Sequence, residues 1–340
     1  MEMAIHEEDI VIVGAGLSDS LRITGLALTL WSNAWRALDA VGIGDILRQK
    51  SVQIHGFKFA NQEDSTPPTS GSDVNFDKLE VRCVRRKELL ETLERELPQG
   101  TIRYSSKVDS IDESGNSKLI HLADGSVIRT KVLIGCDGIN STVARWLGLQ
   151  SPVSSGRSAI RGFVDYPDGH GFEPKFHTYF GGGLRYGFIP CDDRSVYWFC
   201  TFKRSVLKCK PSSTFLCILL CKNDILHSDA LHPMPPDIGQ GGCSALEDGV
   251  ILARCLAEAL LADTNRKDDE YVKMEKGLEK YSRERRWRSF SLVCTAYVVG
   301  LIQESDGKVM RFLRKKFLSR FTVGAVVKMA EFDCGKLVSS

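Results

Sequence analysis

The segment from Ser228 to Gly242 constrains the fold of this chain more than any other stretch of its 340 residues. It contains an acidic residue, Asp229, followed by a proline corner that includes Pro236, and it ends in a glycine-rich run that begins at Gly239. Glycines just ahead of a helix present free backbone N–H groups to an electron-rich ligand. A Gly/Pro run can also simply turn the chain, and that alternative stays open for the segment alone.

A helix is predicted directly after this segment. Apolar residues recur there at alternating four- and three-residue spacing; they are Leu246, Val250, Ala253, Ala257 and Leu260. Ser244 and Glu247 have the spacing of a capping box, in which each side chain accepts a hydrogen bond from the backbone N–H of the other residue. The glycines are therefore expected at the N-terminus of the helix, where the macrodipole favours negative charge.

Two further segments predict strands that end in turns. Residues 132–136 form a short apolar run that leads into Asp137 and Gly138, although an Asp-Gly pair is common in any turn. Residues 9–13 predict an apolar strand near the N-terminus, after which Gly14 and Gly16 begin a phosphate-binding turn. A complete dinucleotide fingerprint has a third glycine, but Asp19 stands at that position.

Taken in chain order, the three segments resemble those of FAD-dependent aromatic-ring monooxygenases, most closely the plant-type, salicylate-hydroxylase-like group. The resemblance covers nearly all of the chain and implies an α/β fold. A Rossmann-like FAD-binding domain would carry a smaller antiparallel-sheet substrate domain, as in para-hydroxybenzoate hydroxylase. The expected boundaries are 1–150 and 227–262 for the two parts of the FAD-binding domain, 151–226 for the substrate domain and 263–340 for a C-terminal helical region.

Two internal deletions relative to this family are expected to leave the fold incomplete. About two dozen residues of the first βαβ unit are absent after Gly16, since such a crossover needs at least a dozen residues. Roughly 60 to 80 more are absent between Cys209 and Asp229, enough for several strands of ordinary length. The first deletion removes the helix whose N-terminus would face the pyrophosphate of the cofactor.

The resemblance also implies cofactor contacts residue by residue. Asp229 would bind the ribityl chain of FAD, and the backbone amides around 241–243 would meet the pyrimidine edge of its ring. Asp137 would lie near the pyrophosphate and the nicotinamide substrate. The full set of expected cofactor-binding residues is Gly14, Gly16, Arg22, Arg86, Val108, Asp137, Asp229, Pro236, Gly239, Gly241, Gly242 and Cys243.

Three members of this set lie in the first half of the chain, away from the glycine-rich turns. Arg22 would help to bind the pyrophosphate and ribityl region, because a planar guanidinium suits that contact; alternatively it is a solvated loop arginine. Arg86 opens a leucine-striped helix and matches a family arginine that contacts the cofactor; alternatively it forms a surface charge pair with Glu88 or Glu91. Val108 follows a strand predicted over 102–104 and matches the residue whose backbone approaches the adenine.

Local patterns predict further elements. A helix is expected over 33–41, and a hairpin is expected to join strands 118–122 and 127–131 through an Asp-Gly turn. Aromatic and β-branched runs broken by glycines predict antiparallel strands; they cover 159–165, 176–180, 184–189 and 196–202. In the family, such a sheet roofs the substrate pocket over the flavin ring.

The resemblance implies an FAD-dependent monooxygenase that uses NAD(P)H and molecular oxygen to hydroxylate a small aromatic or apolar substrate. It supplies no catalytic acid or base, since the cofactor carries the reactive atoms in such chemistry. Two alternatives stay open: a shortened, cofactor-poor relative without catalytic activity, and an NAD-dependent dehydrogenase. The dehydrogenase would explain Gly14 and Gly16 but leaves the segment around Asp229 unexplained.

Composition excludes several other classes. A formal net charge of +2 argues against nucleic acid as the main partner, and the eleven cysteines lack the paired spacing of a zinc site. We expect no transmembrane segment, because the apolar run 215–221 is far shorter than the ~20 residues that span a bilayer. The segment before the first predicted strand is short and acidic, unlike a leader peptide, so a cytoplasmic location is expected by default. Residues 310–321 predict a basic amphipathic helix, with either a solvated face or a role at a membrane surface or an acidic partner.

Overall fold

One sheet contains three parallel strands that come from segments far apart in the sequence. The structure, a computed structural model, describes residues 5–14, 27–61, 72–76, 78–150, 157–181, 184–203, 224–226, 234, 236–262, 270–304 and 323–337. Gly16, Arg22, Asp229 and the basic segment 310–321 lie outside the described residues.

The first sheet has the strand order β1-β8-β7-β6, and β13 pairs with the other side of the C-terminal half of β8. The bounds are Ile5–Val13 for β1, Val108–Ser114 for β6, Ser117–Leu122 for β7, Val127–Gly135 for β8 and Asp224–Leu226 for β13. β1 and β13 both run parallel to β8, whereas β7 and β8 form the predicted hairpin. The apolar run of β8 fits a strand that is buried on both faces.

The second sheet has six strands in the order β4-β3-β10-β11-β12-β9. The bounds are Gly56–Asn61 for β3, Ser72–Asn75 for β4, Arg157–Asp165 for β9, Phe176–Gly181 for β10, Leu184–Pro190 for β11 and Ser195–Lys203 for β12. The four strands predicted between 159 and 202 are confirmed, and they pair with one another in antiparallel fashion. Because β3 and β4 join them, the boundary expected at residue 150 does not separate the two sheets.

A two-stranded sheet and seven helices complete the described fold. The small sheet pairs β2 (Ala27–Leu30) with β5 (Arg82–Arg85). The helices are α1 (Ser32–Val41), α2 (Gly44–Arg48), α3 (Arg86–Arg95), α4 (Thr142–Trp146), α5 (Gly241–Leu261), α6 (Glu270–Glu304) and α7 (Val323–Ala330). The strand predicted over 102–104 is wrong: no described strand pairs with this segment, and Ser105 turns the chain with a φ of 54°.

The helix α5 packs directly on the end of β8. Val132 and Ile134 of β8 share an apolar cluster with Val250 and Ile251 of α5 and with Met274 of α6. A larger cluster, centred on the buried Trp31 and Trp35, fills the space between the six-stranded sheet and the start of α5. These two clusters fix where α5 begins relative to both sheets.

The strand β1 lies at the edge of its sheet among the described residues. Its side chains are largely exposed, including 38% of Ile10 and 61% of Ile12. Apolar residues in a Rossmann-like sheet are ordinarily covered by helices and neighbouring strands. An uncovered β1 is what loss of the first crossover unit predicts. None of the helices in the described part of the chain is long and apolar enough to cross a membrane.

Candidate cofactor-binding site

Gly14 and Asp137 meet where β1 and β8 end. The N–H of Cys136 donates to the carbonyl oxygen of Val13 at 2.7 Å, which draws the two strand ends together. Gly14 has a φ of 90°, and a Cβ atom there would lie only 2.5 Å from the Cα of Asp137. The structure therefore brings together two residues that the sequence assigns to one site, at the carboxyl ends of parallel strands where open α/β sheets bind ligands.

The carboxylate of Asp137 also caps a helix. It accepts hydrogen bonds from the Ser141 hydroxyl at 2.5 Å and from the backbone N–H of Thr142 at 2.5 Å, at the first turn of α4. Asp137 is half-buried. Its position combines the turn-forming role common to Asp-Gly pairs with proximity to Gly14.

The N-terminus of α5 starts at Gly241, directly after the expected proline corner. Pro236 begins a 3₁₀ turn that ends at Ile238, and Gly239 then takes a φ of 62°, a conformation that favours glycine. The side chain of the N-cap residue Gln240 does not cap α5. Within the described part of the chain, the N–H groups of Gly241 and Gly242 find no acceptor.

Among the described residues, a side chain would find more room at Gly241 than at Gly242. A Cβ on Gly241 would meet only Met234 Cγ there, at 3.9 Å, whereas a Cβ on Gly242 would meet the Leu28 side chain at 3.4 Å. Two uncapped N–H groups at the positive end of a helix form an anion-favouring position.

Cys243 contributes backbone rather than thiol chemistry. Its buried Sγ donates weakly to the carbonyl oxygens of Thr29 and Gly239, each at 3.7 Å. Burial raises the pKa of the Cys243 thiol to about 12. The side chain thus anchors the first turn of α5 to β2 and is not a nucleophile.

The predicted capping box is wrong. The helix begins three residues before Ser244, whose N–H already donates to the carbonyl oxygen of Gln240 at 2.8 Å inside the helix. Glu247 therefore has no terminal N–H to reach, and its fully buried carboxylate accepts hydrogen bonds from Arg285 at 2.7 Å and from Arg288 at 2.8 Å.

These contacts belong to a buried polar network that sequence reasoning missed. Arg285 also binds Asp248 through its Nε, and Asn33 of α1 donates to Glu247 at 2.5 Å and to Gln240 at 2.8 Å. Two carboxylates thus face two guanidiniums in the interior, and the network ties α1, α5 and α6 together. The sequence did carry a signal for this network: Glu247 and Asp248 are adjacent acids on the buried face of a predicted helix. Because buried charges are ordinarily paired, they indicate basic partners elsewhere in the chain.

A second buried ion pair links the proline corner to the second sheet. Arg185 of β11 lies 3.2 Å from the fully buried carboxylate of Asp237. The guanidinium also lies over the ring of Phe199, 5.4 Å from its centroid. This pair holds the segment 236–240 against the second sheet.

The remaining predicted residues lie at different distances from this edge. Arg86 is the first residue of α3, and its neighbour Arg85 pairs with Ala27 at the start of β2. Glu91, one of the alternative partners predicted for Arg86, lies 3.6 Å from Lys87. Val108 begins β6 at the end of the sheet that is level with the start of β8. It is separated from Asp137 by most of the length of β8, about 25 Å for a strand of that size.

A Rossmann-like sheet whose parallel strands end beside a glycine-led helix, joined to a second sheet of mostly antiparallel strands, defines the para-hydroxybenzoate-hydroxylase-like class of fold. Solved structures share it. Klebsiella pneumoniae HpxO, complexed with FAD and uric acid, has a TM-score of 0.73 at 20% identity and covers 97% of this chain and 98% of that one. A salicylate hydroxylase substrate complex has a TM-score of 0.67 at 18% identity, with 90% of each chain covered.

Two plant proteins are similar over nearly the whole length. Monooxygenase 2 of Arabidopsis thaliana is 41% identical over 399 residues, covering 97% of this chain and 98% of that protein. Monooxygenase 1 of the same plant is 32% identical over 381 residues, with 98% and 95% covered. No protein-family model matches the sequence. The chain belongs to the FAD-dependent aromatic-ring monooxygenase family, as the sequence motifs predict.

The alignment with Monooxygenase 2 also bears on the expected deletions. It extends over 399 residues, whereas this chain has 340. Because the match reaches almost to both ends of both proteins, the relative contains internal residues that this chain lacks.

Proposed function

We propose that this chain binds FAD at the edge formed by Gly14, Asp137 and the N-terminus of α5. The observation that carries the proposal is the pair of partner-free amides at Gly241 and Gly242 among the described residues, which stand at the positive end of a 21-residue helix. An electron-rich ring edge would be a suitable acceptor for both. In this proposal Asp229, Arg22 and Gly16, which lie outside the described residues, would supply further contacts.

The residues present fit a bound FAD, with Gly14 at the phosphate end of the site and the first turn of α5 at the ring end. Gly14 allows close approach at the strand edge, because any side chain there would collide with the backbone of Asp137. The fixed first turn of α5 holds its amides in one orientation without any cost of ordering on binding. When bound, FAD would supply the redox chemistry, taking electrons from NAD(P)H and passing them to molecular oxygen.

We further infer a small aromatic or apolar substrate. A cluster of rings lines the face of the second sheet near Trp31, with Phe57 packed 4.9 Å from Phe76 and 5.1 Å from Phe176. These rings pack on one another in the larger cluster, so the side of the site next to Trp31 is apolar and excludes water. The similarity to HpxO, whose structure contains uric acid, favours the same class of substrate. In this proposal, residues 1–150 and 227–262 supply the flavin side and residues 151–226, with β3 and β4, supply the substrate side.

A second candidate is a shortened relative that does not retain the cofactor. The exposed Ile10 and Ile12 of β1 favour it, because a sheet that lacks its crossover helix also lacks the phosphate contacts of that helix. The two candidates differ in one simple experiment. The purified chain is incubated with FAD and desalted, and its visible spectrum and the flavin released on denaturation are recorded. A protein that stays colourless contradicts the first candidate and supports the second.

A substitution at Gly241 separates ligand binding from folding. We expect Gly241→Asp to lower FAD retention at least about tenfold, because a carboxylate would oppose an electron-rich ring edge at the same amides. The same change should leave the free energy of unfolding unchanged or raise it by about 0.3–1 kcal/mol, since an acidic residue in the first turn favours the helix.

Gly241→Ala is the matched control, because a Cβ at this position makes only an ordinary contact with Met234. It should keep both stability and FAD retention close to those of the parent chain. Equal FAD retention in the aspartate and alanine variants would remove the α5 amides from the site, whatever their stabilities.

A further inference from the structure

Cys83 and Cys191 form a pair of buried thiols between the small sheet and the second sheet. Their Sγ atoms lie 3.2 Å apart, and each residue is only 1% exposed. Cys83 lies in β5 and Cys191 follows the last residue of β11. Among the described residues, no other two cysteine sulfurs are in hydrogen-bond contact.

The backbone on both sides of this pair is held in place. Cys83 is opposite Thr29 in the pairing of β5 with β2. The N–H of Cys191 donates to Ser195 at 2.9 Å, and its carbonyl oxygen accepts from Val52 at 3.1 Å. Sulfurs in a disulfide are about 2.05 Å apart, so the two need to approach by roughly one ångström, which small side-chain rotations can supply.

The surroundings keep the thiol of Cys83 protonated. Hydrogen bonding to Cys191 and burial raise the pKa of the Cys83 thiol well above its ordinary value. A thiol held in this way reacts slowly, since the thiolate is the reactive form, and its burial keeps out bulky reagents. A small oxidant that reaches one sulfur would find the second already in position.

We propose that Cys83 and Cys191 are the site of an intramolecular disulfide formed by a hydroperoxide such as hydrogen peroxide. One sulfur attacks the peroxide oxygen and becomes a sulfenic acid, with release of one water molecule. The second sulfur then displaces the hydroxyl group as a second water, so that two thiols and one peroxide give one disulfide and two waters. The crosslink joins positions 108 residues apart and fixes β5, which leads into Arg86, to the turn before β12.

The test uses the full-length chain. It is treated with increasing hydrogen peroxide, unfolded, alkylated with iodoacetamide and digested with trypsin without reductant. We expect a linked pair of peptides, residues 83–85 joined to residues 186–194, whose mass is lower by two hydrogens than the sum of the free peptides. Dithiothreitol should separate them. The oxidised chain should also unfold several degrees higher than the reduced chain, because the crosslink restricts the unfolded state.

Cys294 supplies the internal control, because it is an exposed thiol in α6. Because the buried pair reacts more slowly than Cys294, the proposal is overturned if Cys83 and Cys191 are both still alkylated at peroxide concentrations well above the one that fully oxidises Cys294, while the chain stays folded. Separate sulfinic acids on the two cysteines, without the linked peptide, would overturn it too. Cys191→Ala should abolish the linked peptide and the thermal shift together, whereas Cys294→Ser should change neither; since the parent chain alone decides the outcome, a poorly folding variant does not obscure it.

Discussion

Replacing Arg285 with methionine is expected to lower the free energy of unfolding by about 3–5 kcal/mol, the largest effect we predict for a single side chain. Arg285 is 1% exposed and bonds to both Glu247 and Asp248, whose side chains are fully buried. Methionine has a similar volume but no charge. The loss is expected because Asp248 would remain in the interior without its guanidinium partner, and an uncompensated buried charge is costly.

The surface ion pair between Lys280 and Glu258 is the matched control. It also joins α5 to α6, but its side chains are 44% and 48% exposed. Lys280→Met should therefore cost less than about 1 kcal/mol. Urea unfolding of the two variants, followed by circular dichroism, compares a buried with an exposed ion pair between the same helices. Equal costs would mean that the buried network contributes no more than the surface pair.

A double variant separates the charge from the packing. Adding Asp248→Leu to Arg285→Met removes the stranded carboxylate, so we expect the double variant to be more stable than Arg285→Met alone. If it is less stable, the cost lies in lost packing against Phe332, which the guanidinium of Arg285 approaches to 5.3 Å. Because the network fixes the first turns of α5, Arg285→Met should also weaken FAD retention in the proposed site.

Local patterns predicted much of this fold because their physical causes are local. The helix 33–41 ends at Gly42, whose φ of 90° only glycine adopts readily. The hairpin around Asp124 and Gly125 forms because the turn chemistry and the strand alternation agree. The resemblance assigned Gly14 and Asp137 to one site, and the structure brings them together because the carboxyl ends of the neighbouring parallel strands β1 and β8 meet at one edge.

The features that sequence reasoning missed depend on partners distant in the chain. Glu247 fits a capping box at its spacing, but Arg285 lies 38 residues further along and binds it instead. The strand at 224–226 has too few residues to show a pattern, yet it pairs in parallel with β8. Segment 102–104 has strand-like residues but finds no strand to pair with among the described elements. In each case the decisive interaction is tertiary, which local propensity does not contain.

Replacing Gly14 with alanine is expected to lower the free energy of unfolding by about 3 kcal/mol, through two costs that add. A non-glycine residue at a φ of 90° is strained by roughly 1–2 kcal/mol. The new methyl group would also lie 2.5 Å from the Cα of Asp137 and 2.6 Å from the carbonyl oxygen of Cys136. Backbone atoms cannot rotate away, so β1 must move from β8, at a further cost of about 1–3 kcal/mol.

Two other glycines separate these costs. Gly125 has a φ of 85° with no described atom within 4 Å of an added methyl group, so Gly125→Ala should show the backbone strain alone, about 1–2 kcal/mol. Gly249 lies on the exposed face of α5 with the same open space, and Gly249→Ala should stabilise the chain by about 0.5–1 kcal/mol. Thermal unfolding of the three variants measures the order of their stabilities. If Gly14→Ala costs no more than Gly125→Ala, the two strand ends are not in contact, and the edge proposed to receive the cofactor is wider than the structure shows.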